Sequence, residues 1–184
     1  MPALDEAQIL AEIRNGNGDA FAKIVEHYQT DIIRYLHRLT GDNHIAQDLA
    51  QDTFLNAYRG ILKHDVHFSL RAWLYKIATN NARQYHRRNR ILSFIPIGRF
   101  RRDDIEAHQI SPDDMEEEIM VQDILLRIPN DQRHCMILHF VEGFKYKEIA
   151  EILGTTEDAI RMRVARGREV FKKEYGARAG GKVQ

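Results

Sequence analysis

One cysteine, four prolines and one tryptophan are all that 184 residues hold of three types that usually mark stapled, kinked or aromatic-lined proteins. Cys135 alone cannot form an internal disulfide, which fits a reducing cytoplasm. No apolar run approaches the ~20 residues of a membrane-spanning helix. The first residues, MPALDEAQIL, lack the basic-then-apolar order of a secretory signal, so no membrane insertion is expected. His134, Cys135 and His139 are too few and too unevenly spaced for a structural zinc site, and apolar packing is the better reading of Cys135. No carboxylate and histidine set has usable catalytic spacing, so neither an enzyme nor a metal or cofactor is expected. The scarcity of proline, with a sustained 3.6-residue apolar period, argues for an all-α chain. An apolar content of 43% supports real cores, as one large or two small domains.

The formal net charge of zero hides a segregated pattern. From Arg71 to Arg102 the chain carries Arg71, Lys76, Arg83, Arg87, Arg88, Arg90, Arg99, Arg101 and Arg102, with no acid between them. From Asp103 to Asp123 it carries Asp103, Asp104, Glu106, Asp113, Asp114, Glu116, Glu117, Glu118 and Asp123, with no base. Basic surfaces attract phosphate backbones, and an acidic segment suits a basic groove on a partner.

Helical spacing predicts a first helix from about Asp5 to Asn15, broken at Asn15–Gly18. A long second helix is capped by Asp19 and stopped by Gly41, and a third runs from about Asp42 to Leu62. Asp48, Gln51 and Asp52 share one side of the third helix: a docking patch for a basic partner, or simply a solvated face. Ser69 is expected to cap a fourth helix, with Phe68 stapled onto Trp73. Trp73 reads as core. In this helix the apolar residues run out and Lys76, Asn80, Arg83, Arg87 and Arg90 align at +4, +3, +4, +3, with Arg88, Tyr85 and His86 nearby. Cations, an amide and rings suit a nucleic-acid surface; the plain alternative is a soluble helix end. Residues 91–100, ILSFIPIGRF, form an apolar segment broken by Pro96 and Gly98 that seeks a partner or the preceding domain. Ser111-Pro112 then looks like a cap with proline at the first helical position, opening a helix to Ile128. Another helix follows, from Asn130 to about Val141.

The stretch from Gly143 to Lys173 reads as helix, tight turn, helix. Gly154 ends the first helix, Thr156 caps the second, and Ile160, Val164, Gly167 and Phe171 make its narrow apolar stripe. The rest of that helix carries Arg161, Arg163, Arg166, Arg168, Lys172 and Lys173. Two short helices with the second basic fit a DNA-binding helix-turn-helix; an ordinary charged hairpin is the alternative.

Three stretches together resemble a bacterial sigma factor of the extracytoplasmic-function (group IV) branch of the sigma-70 family. AQDLAQDTFLNAYR (46–59) is similar to the region 2 helix that docks on polymerase. FSLRAWLYKIATNNARQYHRRNR (68–90) is similar to the part of region 2 that melts and reads the −10 element. IPNDQRHCMILHFVEGFKYKEIAEILGTTEDAIRMRVARGR (128–168) is similar to region 4, which reads the −35 element. The resemblance implies core RNA polymerase and promoter DNA as partners, with Asp48, Gln51 and Asp52 on the β′ clamp helices and region 4 on the β flap. It places Lys76, Asn80, Arg83, Arg87, Arg88 and Arg90, with the loop before Ser69, at the −10 element. It places Thr156, Arg161, Arg163 and Arg166 at the −35 element. It further implies an acidic linker lying in the path of nascent RNA, and an anti-sigma protein as a regulator.

The chain departs from the family pattern at Lys145, where a small hydroxyl residue usually caps the helix. It departs again at Met162, where serine is common, at Gln84 to His86, which lack an acid, and in the apolar 91–100. These bear on the promoter sequence rather than the class. The expected organisation is region 2 over 1–90, a linker over 91–111, region 4 over 112–176 and a disordered tail over 177–184. A free-standing helix-turn-helix repressor or activator is the rival, but it leaves the Lys76–Arg90 stripe and the Asp48 patch unexplained.

Overall fold

The computed structural model describes residues 5–63, 69–92 and 112–179, and every regular element in them is helical. In order these are α1 (Glu6–Arg14), a 3₁₀ turn (Gly18–Ala20), α2 (Phe21–Thr40), α3 (Asn43–Lys63), α4 (Leu70–Leu92) and α5 (Pro112–Arg127). Then come α6 (Asn130–Met136), a π-helical turn (Ile137–Val141), α7 (Tyr146–Leu153) and α8 (Glu157–Ala179). The all-α expectation holds.

Polar side chains begin four of these helices by accepting orphan backbone N–H groups. Asp5 Oδ1 accepts from Gln8 (3.1 Å), Asp42 Oδ1 from Ile45 (3.0 Å), Ser69 Oγ from Ala72 (3.2 Å) and Thr156 Oγ1 from Ala159 (3.2 Å). Asp19 does not do so. The chain already turns through Gly18–Ala20, so α2 starts at Phe21 behind a helical Ala20 with no side-chain cap. The ammonium of Lys145 cannot accept a hydrogen bond, but Glu148 Oε2 takes the Lys145 N–H at 2.7 Å, half of a capping box. The helix expected to run evenly from Asn130 widens after Met136. There Glu142 N–H reaches back five residues to the Ile137 carbonyl (3.0 Å), which leaves Phe140 and Val141 in solvent.

In the first half Ile24, Ile32, Tyr35, Leu36 and Leu39 of α2 pack on Leu49, Phe54, Ala57 and Ile61 of α3 and on Leu70, Leu74, Ala78 and Ala82 of α4. In the second, Ile124, Leu125 and Ile128 cover Ile137, Leu138, Ile149, Leu153, Ile160 and Val164. Each fully buried Leu or Ile contributes about 1.5–3 kcal/mol of transfer free energy. Trp73 lies across α3, where a Cβ on Gly60 would sit 2.7 Å from its ring. Gly167 lets α8 touch α6, since a Cβ there would meet Met136 Sδ at 2.5 Å.

The two halves meet along a seam. Gly41 ends α2 at φ 73° and faces Leu126 so closely that a Cβ would lie 2.5 Å from its methyl. The Gln122 side-chain amide donates to the His37 (3.2 Å) and Arg38 (3.3 Å) carbonyls at the same helix end. Buried Arg133 donates to the carbonyls of Leu39 (2.6 Å), Leu126 (3.2 Å) and Ile128 (3.2 Å) and to Asn130 Oδ1 (2.7 Å). No carboxylate faces it among the described residues, and burial lowers its pKa to about 10. At the other end α8 continues to Ala179, into the stretch expected to be a tail, because Arg178 pairs with Asp123 (3.1 Å) on α5.

Candidate nucleic-acid interface

Asp48, Gln51 and Asp52 stand exposed on α3, opposite its buried Leu49, Ala50, Thr53 and Ala57. The helix is fixed from behind by Thr53, whose Oγ1 donates to the Leu49 carbonyl (2.7 Å) and accepts from Asn81 Nδ2 (3.1 Å) of α4. Leu55, Arg59 and Leu62 continue the same face at +3, +4, +3 from Asp52, and all are exposed. Sequence reasoning missed them because an exposed leucine inside an amphipathic helix looks like core until the packing is known.

On α4, Asn80, Arg87 and Arg88 are exposed, and Lys76 and Arg83 are half-buried. The side chain of Arg90 lies outside the described residues, as do the loop 64–68, the Phe68 staple, the Ser111 cap and the apolar and acidic stretches over 93–111. From Lys76 to Arg87 the stripe is continuous as a face, but its flank is covered. Arg83 Nη1 donates to the Leu153 carbonyl of α7 at 3.5 Å. Tyr85 and His86 do not stand beside the cations as expected. Tyr85 packs onto the core, and His86 turns its Nε2 inward without a hydrogen-bond partner. Burial, then the nearby Arg133 charge, holds the His86 pKa below its usual value, so its ring is neutral at pH 7.

Two turns upstream, α4 is clasped to the second half. Tyr75 donates its hydroxyl to Glu142 Oε2 (2.5 Å), and Arg71 donates to the Glu142 carbonyl (2.6 Å). Arg38 and Arg71 lie 3.8 and 3.9 Å from the carboxylate, and the Arg71 guanidinium sits 4.2 Å above the Phe144 ring. Burial raises the Glu142 pKa, and the Tyr75 hydrogen bond and the two arginines oppose that rise.

On α8 the buried Ile160, Val164 and Gly167 turn the opposite face to solvent. The cations on it are unequal. Thr156 uses its hydroxyl as the cap. Arg161 is held by Glu157 (3.2 Å) and Asp158 (3.3 Å) of its own first turn. Arg163 is half-buried beside Cys135, whose sulfur donates to the Asp131 carbonyl (3.1 Å) and whose thiol burial raises to about 11. Arg166 and Arg168 are exposed and without an ion pair among the described residues. Cys135 therefore packs as expected, and no group of three metal-ligating side chains exists among the described residues. His134 beside it is buried, donates its Nδ1–H to the Asn130 carbonyl (2.6 Å), and is pushed to about 4 by desolvation, so it stays neutral. No helix among the described residues is long and apolar enough to cross a membrane.

Residues 24–91 match the Sigma-70 region 2 family and residues 118–170 the Sigma-70, region 4 family. The chain is 29% identical over 175 residues to the ECF RNA polymerase sigma factor SigW of Bacillus subtilis, covering 90% of this chain and 94% of that one. It is 31% identical over 159 residues to the RNA polymerase sigma factor YlaC of the same organism, covering 84% and 91%. The fold is similar to that of the sigma factor RpoE in its complex with the anti-sigma factor NepR from Bartonella quintana. That likeness has a TM-score of 0.68 and 23% identity, and covers 84% of this chain and 96% of that one.

Proposed function

The chain belongs to the extracytoplasmic-function sigma factors of the sigma-70 family, non-enzymatic proteins that direct RNA polymerase to promoters, and from that premise we propose how its residues divide the work. Asp48, Gln51 and Asp52, with Leu55, Arg59 and Leu62 beside them, dock on the β′ clamp helices of core polymerase. Lys76, Asn80, Arg83, Arg87, Arg88 and Arg90 hold the −10 element, where cations take phosphate and an amide pairs with a base. The second half sits on the β flap and presents α8 to the −35 major groove. There Arg166 is a cation without an ion pair among the described residues, Arg161 needs release from its acids, and Arg163 orients the helix beside Cys135.

The observation that supports this reading most is the separation of chemistries. An exposed acidic-apolar face on α3 and cationic faces on α4 and α8 stand on three separate helices, as one polymerase contact and two DNA contacts require. The α4–α7 contact and the Glu142 clasp describe a closed arrangement in which part of the −10 stripe is covered. Engagement of both promoter elements therefore opens the seam. The relative seen with NepR makes an anti-sigma protein that stabilises the closed form a fitting regulator here. Its test is whether a co-expressed candidate regulator raises protection of the seam and blocks initiation together.

The function is tested by run-off transcription with core polymerase on a promoter library. Defined starts appear only with the protein, and Asp48→Arg/Asp52→Arg abolishes them while the helical signal of the fold is unchanged. Unchanged polymerase output together with tight binding of the free protein to a palindromic duplex would instead establish the repressor.

A further inference from the structure

Met162 is the one large apolar side chain that α8 leaves in solvent among the described residues, 55% exposed. Its i±3 neighbours on the helix face are Ala159 and Ala165, so nothing taller than a methyl shields it at those positions. The three make an apolar spot without hydrogen-bonding capacity. At i±4 it is flanked by Asp158, which is tied to Arg161, and by Arg166, which has no ion pair among the described residues. Met162 lies in the second turn of the helix, which begins at Glu157 behind the Thr156 cap. That is the part of a recognition helix that faces base edges.

An apolar spot beside an unpaired cation suits a polyanion that offers an apolar feature. In the major groove that feature is the C5 methyl of thymine. A thioether is long, unbranched and polarisable, so it can follow a methyl group whose exact depth depends on how the helix seats. We infer that Met162 reads the methyl group of a thymine in the −35 element, with Arg166 neutralising phosphate beside it. This rests on the placement of α8 in the −35 groove. It adds a base-specific contact that carries no hydrogen bond.

The test uses the full chain with core polymerase on promoters selected from a library randomised over the −35 element. Each −35 thymine is then replaced singly by deoxyuridine, which removes only the methyl group. At one position the replacement lowers initiation about four-fold, the size of one buried methyl group. Met162→Ala lowers initiation on the thymine promoter by a similar factor and is indifferent to deoxyuridine there. Met162 is exposed, so the variant keeps its helical signal.

The inference is overturned if Met162→Ala responds to every deoxyuridine as the parent does. It is also overturned if the variant loses initiation equally on both templates, the mark of a protein partner on Met162 instead. Absence of any −35 preference in the parent would remove the placement of α8 and the inference with it. Scrambling the whole element separates that case, because it then changes nothing.

Discussion

The two basic helices, α4 and α8, are each 23 residues long and were each legible as a cationic face, yet they use their cations differently. On α4 the flank of the stripe is built into the protein. Arg71 holds Glu142, Arg83 holds Leu153, and Tyr75, Ala82 and His86 turn inward to the seam. On α8 the seam is absent and the helix is anchored from behind by Gly167 on Met136, so its outer face is open. The difference teaches that charge counts locate a surface, while packing decides which charges are free to act. In this arrangement the outer face of α8 is open, while the flank of the α4 stripe is partly covered.

The strongest way to break that comparison is to remove what holds the seam. Arg133→Met leaves the Leu39, Leu126 and Ile128 carbonyls without their donor. It should cost about 3 kcal/mol or more in urea denaturation, since each buried carbonyl left without a donor costs about 1–3 kcal/mol. A stability loss under 1 kcal/mol would mean the seam is not structural.

Acid should act next. His134 is neutral in the fold, with its pKa depressed to about 4, and takes a proton near 6.5 when unfolded. Its contribution is complete above pH 6.5 and is lost as pH falls toward 4. Between pH 6.5 and 5 the chain should lose about 2 kcal/mol, at about 1.4 kcal/mol per pH unit. His134→Phe should flatten that slope; an unchanged slope would assign it to other groups.

Glu142→Gln keeps the shape of the clasp but removes its charge toward Arg38 and Arg71. A loss near 1–2 kcal/mol is expected for these half-buried partners. The more telling readout is a larger label-to-label distance between α4 and α7. No change in that distance would show that apolar packing alone closes the seam.

Smallest in energy but most specific is Arg166→Ala. It should weaken promoter binding by holoenzyme and lower the salt dependence by about one phosphate contact. The same change at Arg163, which faces Cys135, should instead lower the melting temperature and leave the salt slope unaltered.

The helices, their order and the all-α class were open to sequence reasoning because apolar periodicity and caps are local signals. Asp5, Asp42, Ser69 and Thr156 each cap the helix they precede. What escaped depends on contacts remote in sequence. Arg163 and Arg166 look alike in the chain, and only the Cys135 side of α6 separates them. Glu142 sits in a short loop with no pattern, and Arg71 and Tyr75 are about 70 residues away. The π turn that exposes Phe140 and Val141 is a one-residue widening that no periodicity window resolves.

The central claim is that α4 and α8 read two different promoter elements for one polymerase. It is tested most directly by sequencing the starts and promoters that holoenzyme selects from a library randomised at both elements. Asn80→Ala/Arg87→Ala should relax preference only near −10, and Arg166→Ala only near −35, with Asp48→Arg/Asp52→Arg removing all starts. Variants in α4 and α8 that shift the same element, or starts that survive the α3 change, would contradict it.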